Sequence, residues 1–167
     1  PVKQNNGGVL FYDTRVKNGG SPITTVSVGA LPDHLTFTPD GLKLVVANEG
    51  EPSDDYTIDP KGSISIIDVS KINQIRNDSS SSLTLPVTTL DFTAYDSKKA
   101  ELIAKGVRIF GKNASVSQDL EPEYVAISAD STKAFVTLQE NNALAFVDLA
   151  TSSITDIKPL GYKDYNA

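Results

Sequence analysis

Short apolar runs separated by turn residues recur along the chain and predict strands rather than helices. Residues 32–49 read PDHLTFTPDGLKLVVANE and residues 122–139 read PEYVAISADSTKAFVTLQ, and the two segments align without a gap at an offset of 90. Each copy contains an apolar strand, a turn rich in Asp, Gly or Ser, and a second apolar strand, which is the pattern of a β-hairpin. The chain therefore contains an internal repeat.

A third and a fourth strand complete each copy. SISIIDV (63–69) matches ALAFVDL (143–149) at an offset of 80, and GVLFYDT near the start of the chain is a further relative. The segments ITTV (23–26), VTTL (87–90) and ITDI (154–157) share the pattern of a closing strand. The leanest unit, residues 122–161, places four strands in 40 residues. That period is typical of a β-propeller blade.

The sequence therefore predicts an all-β fold, namely a β-propeller fragment of about two and a half four-stranded blades within a single domain. The expected boundaries are a half blade at 8–30, a blade at 31–92, a helical insertion at 93–119 and a blade at 120–161. Propellers typically close with at least about four blades. We therefore expect a fragment whose remaining blades come from the parent protein or from companion chains.

The insertion at 93–119 contains the segment DSKKAELIAKG, which predicts one short helix. Asp96 or Ser97 can cap its first turn, and Gly106 is placed to end it in the left-handed conformation.

Charge and composition exclude several classes of partner. The net charge is −6, which argues against nucleic acid because a nucleic-acid partner requires a basic face. No apolar run approaches the roughly 18 residues that a membrane span needs. The chain has no cysteine and a single histidine, His34, so neither disulfides nor a zinc site of the usual His/Cys kind can form within it.

An acidic segment, GEPSDDYTIDPKG, interrupts one copy of the repeat between its second and third strands. We call residues 50–62 the acidic arm. Carboxylates on a turning segment are ligands that calcium prefers, although the spacing is not that of an EF-hand. The alternative is a solvated insertion without a ligand. The candidate metal ligands here are Glu49, Glu51, Asp54, Asp55 and Asp59.

A second set of carboxylates occupies equivalent repeat positions. Asp33 and Glu123 both precede the first strand of a unit, and Glu121 lies two residues before Glu123. Equivalent positions of a propeller gather at one end around the axis, so these three side chains are candidates to converge on a central cation or polar ligand, with calcium as the candidate cofactor. The alternative is that each carboxylate caps its own turn.

Several segments together resemble the choice-of-anchor I family. They are residues 31–70, the segment AELIAKGVRIFG, the segment DLEPEYVAISADSTKAFVTLQENNALAFVDLAT, and PLGYKDY. The resemblance covers nearly the whole chain from about Gly8 onward. It implies a YVTN-type, propeller-like protein that is secreted, periplasmic or held at the cell surface. The family includes a mesenchyme-specific cell-surface glycoprotein and proteins labelled as atypical alkaline phosphatases.

Two functions remain open at this point. The first is a non-catalytic binding or scaffold module that meets an extracellular matrix or surface ligand and is stabilised by calcium. The second is part of a metal-dependent, alkaline phosphatase-like phosphoesterase, which would need metal ions to activate water. The chain offers carboxylates but almost no imidazole, and it has no G-x-S-x-G motif. We therefore favour the scaffold and expect no catalytic residues.

Overall fold

The computed structural model describes residues 2–16, 20–77 and 84–164. The strands of this part form three antiparallel sheets, which confirms the all-β prediction. In chain order they are β1 (Asn6–Phe11), β2 (Thr24–Ala30), β3 (Pro32–Phe37), β4 (Lys43–Asn48), β5 (Ser63–Asp68), β6 (Val87–Asp91), β7 (Val125–Ile127), β8 (Lys133–Leu138), β9 (Ala143–Asp148) and β10 (Ser153–Pro159).

Strands that follow one another in the chain are neighbours in space. The small sheet pairs β1 with β2, the first four-stranded sheet has the order β3-β4-β5-β6, and the second has the order β7-β8-β9-β10. The strands lie within the ranges predicted from the repeat, except that β1 begins at Asn6 rather than at residue 8. The sheets are consistent with two four-stranded units and one half unit, while the blade count stays a prediction.

The first four-stranded sheet is covered on both faces. Its central strands, KLVVAN and SISIID, are therefore buried almost throughout and show no alternation of polar and apolar residues. On one face Leu44 and Val46 pack in an apolar core with β1 and β2. On the other face Val45 and Ile66 share a core with the second four-stranded sheet. Each buried Val or Ile contributes roughly 1.5–3 kcal/mol relative to an exposed one.

The second four-stranded sheet alternates strictly along β8 and β9. Small side chains such as Ala134 and Ala145 are buried in the core that it shares with the first sheet. Their neighbours along each strand, including Phe135 and Phe146, point to the opposite face and are half-buried. This period of two is expected for a sheet with one covered face.

Helical segments are more numerous than the single helix that was predicted. The described residues contain α1 (Ile72–Asn77), a 3₁₀ helix (Thr93–Lys98), α2 (Lys99–Lys105) and α3 (Val116–Asp119). The predicted end of α2 is confirmed, because Gly106 has a φ of 102° and donates its N–H to the last turn. The predicted N-cap is wrong: Lys98 occupies that position without a side-chain hydrogen bond. Asp96 accepts instead from the backbone of Ser117 at 2.8 Å.

No helix in the described ranges is long and apolar enough to cross a membrane.

Candidate functional site: an acidic seam between two sheets

The two four-stranded sheets meet along their first strands, β3 and β7. The ring of His34 on β3 stacks on Tyr124, with ring centroids 3.8 Å apart. The backbone N–H of Val125 donates to His34 Nδ1 at 3.3 Å. The single histidine of the chain is therefore engaged in joining the two sheets.

Carboxylates from both sheets gather beside this contact. Asp33 lies on β3, Glu49 and Glu51 follow β4, Glu121 and Glu123 precede β7, and Glu140 follows β8. Their mutual repulsion is felt across the sheet boundary, since Glu49 of the first sheet acts on the titration of both Glu121 and Glu123. We call these six residues the acidic seam.

Burial and repulsion together raise the pKa values of three glutamates in the seam. Burial, and then repulsion by Glu140, raises the pKa of Glu121 to about 7. Burial raises the pKa of Glu123 to about 8, with a hydrogen bond to Glu140 as the next cause. The pKa of Glu49 is also raised, by burial and then by Glu51. The seam therefore holds more negative charge than its surroundings stabilise.

One lysine partly compensates the charge of the seam. Lys3 Nζ lies 2.6 Å from Glu51 Oε2, and the Gln4 side chain donates to the Glu51 carbonyl at 3.3 Å. The hydrogen bond that Lys3 donates to Glu51 raises the pKa of Lys3. The segment before β1 is thus fixed against the acidic seam by an ion pair.

The strand connection that positions Glu49 has an unusual backbone conformation. Leu31, between β2 and β3, has a φ of 51°, which is uncommon for a residue other than glycine. Its carbonyl accepts from the N–H of Glu49, and the Ala30 carbonyl accepts from Gly50. The connection between β2 and β3 thereby fixes the start of the acidic arm.

Two aspartates of the acidic arm lie outside the seam, although the charge of Asp54 still acts on Lys3. Asp55 accepts from Ser53 Oγ at 2.7 Å and from Thr57 Oγ1 at 2.8 Å, so it stabilises its own turn. The hydrogen bond from Ser53, followed by those from Thr57, lowers the pKa of Asp55 to about 2. Asp54 beside it is exposed. Neither residue is among the carboxylates that the structure gathers.

The end of the arm packs on the helical insertion. Gln118 Nε2 donates to the Asp59 carbonyl at 3.1 Å, and Gly62 N–H donates to the Ser117 carbonyl at 3.1 Å. Asp59 Oδ1 is buried without a hydrogen-bond partner. Burial, and then the charge of Asp119, raises the pKa of Asp59.

Five of the eight candidate ligands therefore lie in one place and three do not. The structure brings together Asp33, Glu49, Glu51, Glu121 and Glu123, whereas Asp54, Asp55 and Asp59 lie along the arm. As the side chains stand, no three His, Cys, Asp or Glu residues among those described are close enough to hold one metal ion. Sequence reasoning missed Glu140, although the repeat alignment pairs its neighbour Gln139 with Glu49.

The described residues define an all-β domain of repeated antiparallel sheets, with carboxylates concentrated where two sheets meet. The chain belongs to the choice-of-anchor I domain family, because the model of that family matches residues 1–167, the whole chain. This confirms the resemblance noted in the sequence and indicates a cell-surface or secreted protein. Among curated proteins, none matches this chain.

Proposed function

We propose that this chain is a non-catalytic binding or scaffold domain of a secreted or cell-surface protein, and that calcium bound at the acidic seam stabilises it. The observation that carries the proposal is the concentration of six carboxylates from two sheets, of which only Glu51 is paired with a lysine among the described residues. Such an arrangement is unfavourable until protons or cations neutralise it.

Calcium suits this seam better than other metals of similar charge. It takes six to eight oxygen ligands in a flexible geometry, and carboxylates and backbone carbonyls are its usual donors. The seam offers carboxylates and no thiol or free imidazole. Because no three of these groups are in a coordinating position as they stand, binding would draw the two sheets together by a small movement. Calcium would thus act as a structural clamp.

The full chain can be tested by thermal unfolding in calcium, in magnesium and in chelator. We expect calcium alone to raise the unfolding midpoint, because a ligand that binds only the folded state stabilises it. Glu123→Gln should remove most of that gain, whereas Glu101→Gln, which alters an ion pair on α2 outside the seam, should leave it intact. An unfolding midpoint that is the same in calcium and in chelator would contradict the calcium site.

The proposed partners are further blades of the parent protein and an extracellular matrix or surface ligand. No observation on the described residues favours the phosphoesterase alternative, and His34 is engaged between two sheets. Hydrolysis of phosphomonoesters and diesters should be measured with calcium and with chelator. Turnover that disappears in Glu121→Gln or Glu123→Gln would overturn the non-catalytic function while leaving the cation site standing.

A further inference from the structure

A polar cleft separates the two-stranded sheet from the first four-stranded sheet. Its volume of about 350 Å³ lies in the range of roughly 300–1,000 Å³ that is common for small-molecule sites. The side chains and backbone that the argument uses are those of Ser27, Gly29, Lys61, Ser63, Thr89 and Asp91, all of which line the cleft. We call this space the polar cleft.

Three buried polar side chains lie at the floor of the polar cleft. Asn48, Ser63 and Ser65 are each at most 5% exposed. They share a face of the first sheet with Val46 and Ile67, which pack against β1 and β2, because side chains two residues apart on a strand point the same way. Asn48 Nδ2 donates to Ser63 Oγ at 3.2 Å and to Ser65 Oγ at 3.0 Å. Ser63 connects this buried cluster to the cleft.

The strand β2 approaches the cluster closely at a glycine. The pairing of β1 with β2 shifts between Asn6 and Gly8, where β2 contains an extra residue. A Cβ on Gly29 would lie 2.9 Å from Asn48 Cγ and closer still to Ser63 Oγ, so a larger residue would displace the cluster. Asn48 Oδ1 is buried and accepts no hydrogen bond from the described residues. The Asn48 amide therefore lies beneath the cleft with an unused acceptor.

The second sheet has only apolar side chains at the positions of this cluster. At the offsets of 90 and 80, these positions are occupied by Leu138, Ala143 and Ala145. All three are fully buried in the core that joins the two four-stranded sheets. Phe92, which aligns with Val28 of β2, is fully buried in the same core. One junction between sheets is thus filled by apolar groups, whereas the equivalent junction is polar and open.

We propose that the polar cleft binds a neutral sugar residue of a glycan. The fold does not require the buried cluster, because the equivalent junction is built without it. Ser63 Oγ accepts from Asn48, which leaves the Ser63 O–H to donate into the cleft. Sugar hydroxyls both donate and accept, so they complement the hydroxyls of Ser27, Ser63 and Thr89. The proposal names a ligand class for the binding function proposed above, at a site apart from the acidic seam, and it does not depend on calcium.

The rim of the cleft carries one charge of each sign. Lys61 Nζ lies 3.7 Å from Asp91 Oδ2, and both side chains are about half exposed. Lys61 also donates to Thr93 Oγ1 at 2.8 Å. Because the two charges balance, the rim attracts neither an acidic nor a basic ligand strongly. The Asp91 carboxylate can accept from a sugar hydroxyl and the Lys61 ammonium can donate to one.

Binding can be measured by two-dimensional NMR of the backbone amides of the full chain. The probes are the methyl glycosides of glucose, galactose, mannose and N-acetylglucosamine, in a buffer that contains chelator. At least one glycoside should shift the amides of Ser27, Gly29, Ser63 and Thr89 together and reach saturation. Glucuronate, the charged probe, should bind no more tightly. The proposal is overturned if no glycoside shifts these amides, or if glucuronate binds more tightly than every neutral probe.

Two neighbouring threonines of β6 provide a matched pair of variants. Thr88 and Thr89 are both exposed, but their side chains point to opposite faces and Thr89 is the one that lines the cleft. Thr89→Val should raise the dissociation constant of the glycoside about fivefold, because it removes one hydrogen bond. Thr88→Val should leave the constant unchanged. Equal effects of the two substitutions would show that the sugar lies elsewhere.

A triple substitution gives the first sheet the apolar residues of the second. Asn48→Leu/Ser63→Ala/Ser65→Ala should keep the chain folded, because the second sheet packs the same three side chains at these positions. Glycoside binding should fall roughly tenfold or more, since Ser63 and its orienting partner are both lost. A folded triple variant that binds as tightly as the natural chain would overturn the proposal. If the variant does not fold, the threonine pair decides the question.

The outcome is separable from that of the calcium site. Because the titrations are made in chelator, a chain that calcium does not stabilise can still bind the glycoside in the polar cleft. Glycoside binding that occurs in calcium and disappears in chelator would place the sugar at the acidic seam and overturn this inference.

Discussion

The first and the second four-stranded sheets have the same strand order and the same register between their first three strands, but they differ in what covers them. Both faces of the first sheet are buried, by β1 and β2 on one side and by the second sheet on the other. Within the described residues, the second sheet is covered on one face only. Equivalent positions therefore carry different side chains, with Ile66 buried in one copy and Phe146 half-buried in the other. The two copies of the repeat thus share a strand order, while the burial of a side chain depends on whether another sheet packs against its face.

The sheets also differ in the connection between their second and third strands. In the second sheet this connection is a tight turn at residues 139–142, closed by hydrogen bonds from Asn141 and Asn142 to Leu138 and Gln139. In the first sheet it is the acidic arm, whose end bonds to α3 in the insertion. The longer connection thus joins one sheet to the segment that leads into the next.

The largest expected difference between the sheets is in their response to lost apolar side chains. Ile64 is fully buried, and its repeat equivalent Leu144 is half-buried on the face of the second sheet that points away from the shared core. Ile64→Ala should lower the free energy of unfolding by about 3 kcal/mol, because it leaves a cavity. Leu144→Ala should cost less than about 1 kcal/mol, because water already reaches the site. Urea denaturation measures both values. Equal losses would mean that the face of Leu144 is covered in solution.

A glycine at the end of the acidic arm offers the next largest effect. A Cβ on Gly62 would lie 1.9 Å from the carbonyl oxygen of Leu120, which is in the segment between α3 and β7. Gly62→Ala should therefore lower the free energy of unfolding by about 2 kcal/mol, because it forces the arm and this segment apart. Gly8→Ala is the control, because its Cβ would meet only ordinary contacts at 3.6 Å and beyond. If the two variants unfold at the same urea concentration, the arm is not packed as closely as described.

The acidic seam gives the contact between the sheets a pH dependence. The pKa of Glu123 is about 8 in the folded chain against 4.5 when unperturbed. The folded state therefore keeps a proton that the unfolded chain has released, and this stability, fully present below about pH 4.5, is lost as the pH rises through 8. In calcium-free buffer the unfolding midpoint should fall by on the order of 5 °C between pH 5 and pH 9. Differential scanning calorimetry measures this fall.

Glu123→Gln should reduce that slope, and the raised pKa of Glu121 should account for part of what remains. Glu101→Gln is the matched control, because the hydrogen bond from Lys105 lowers the pKa of Glu101 and places its titration below this range. A slope that is the same in Glu123→Gln and in the natural chain would contradict the repulsion across the seam.

Much of the fold could be predicted from the sequence, because the two copies of the repeat share their turns as well as their strands. The hairpin turns at Asp40 and Asp130 and the third-strand pattern locate the strands of both large sheets. The sequence does not predict helix α1, because its six residues, INQIRN, are too few to show a helical period of apolar positions. The capping of α2 was misjudged because Asp96 bonds to Ser117, which is distant in sequence. Local capping rules contain no information about such a contact.

The candidate site was predictable where it depends on the repeat and not where it depends on local turns. Asp33 and Glu123 were placed together because they occupy equivalent positions, and the structure brings both to the seam. Asp55 was grouped with them by its position in the acidic arm, but a turn that includes Ser53 and Thr57 satisfies its carboxylate. A run of acidic residues in a sequence does not reveal which side chains its own backbone and hydroxyl groups will engage.

The smallest prediction concerns a feature that the two sheets share. Asp40 accepts from Thr38 Oγ1 at 2.6 Å and from the Leu42 N–H at 3.0 Å. Asp130 accepts from Ser128 Oγ at 2.6 Å and from the Thr132 N–H at 3.1 Å. Since the two turns share these bonds at exposed sites, Asp40→Ala and Asp130→Ala should each lower the unfolding midpoint slightly and by nearly the same amount. The additional bond from Thr132 Oγ1 to Asp130, at 2.8 Å, makes Asp130→Ala the slightly larger loss.

Thermal unfolding of the two aspartate variants, read beside Ile64→Ala and Leu144→Ala, separates two sources of difference between the sheets. The turns depend on hydrogen bonds within each repeat, so their substitutions should nearly match; the faces depend on neighbouring sheets, so theirs should not. A larger loss for Asp40→Ala would show that the first turn also serves contacts between sheets. The Asp40 N–H, which lies 3.1 Å from Ser131 Oγ of the second turn, is where such a contact would act.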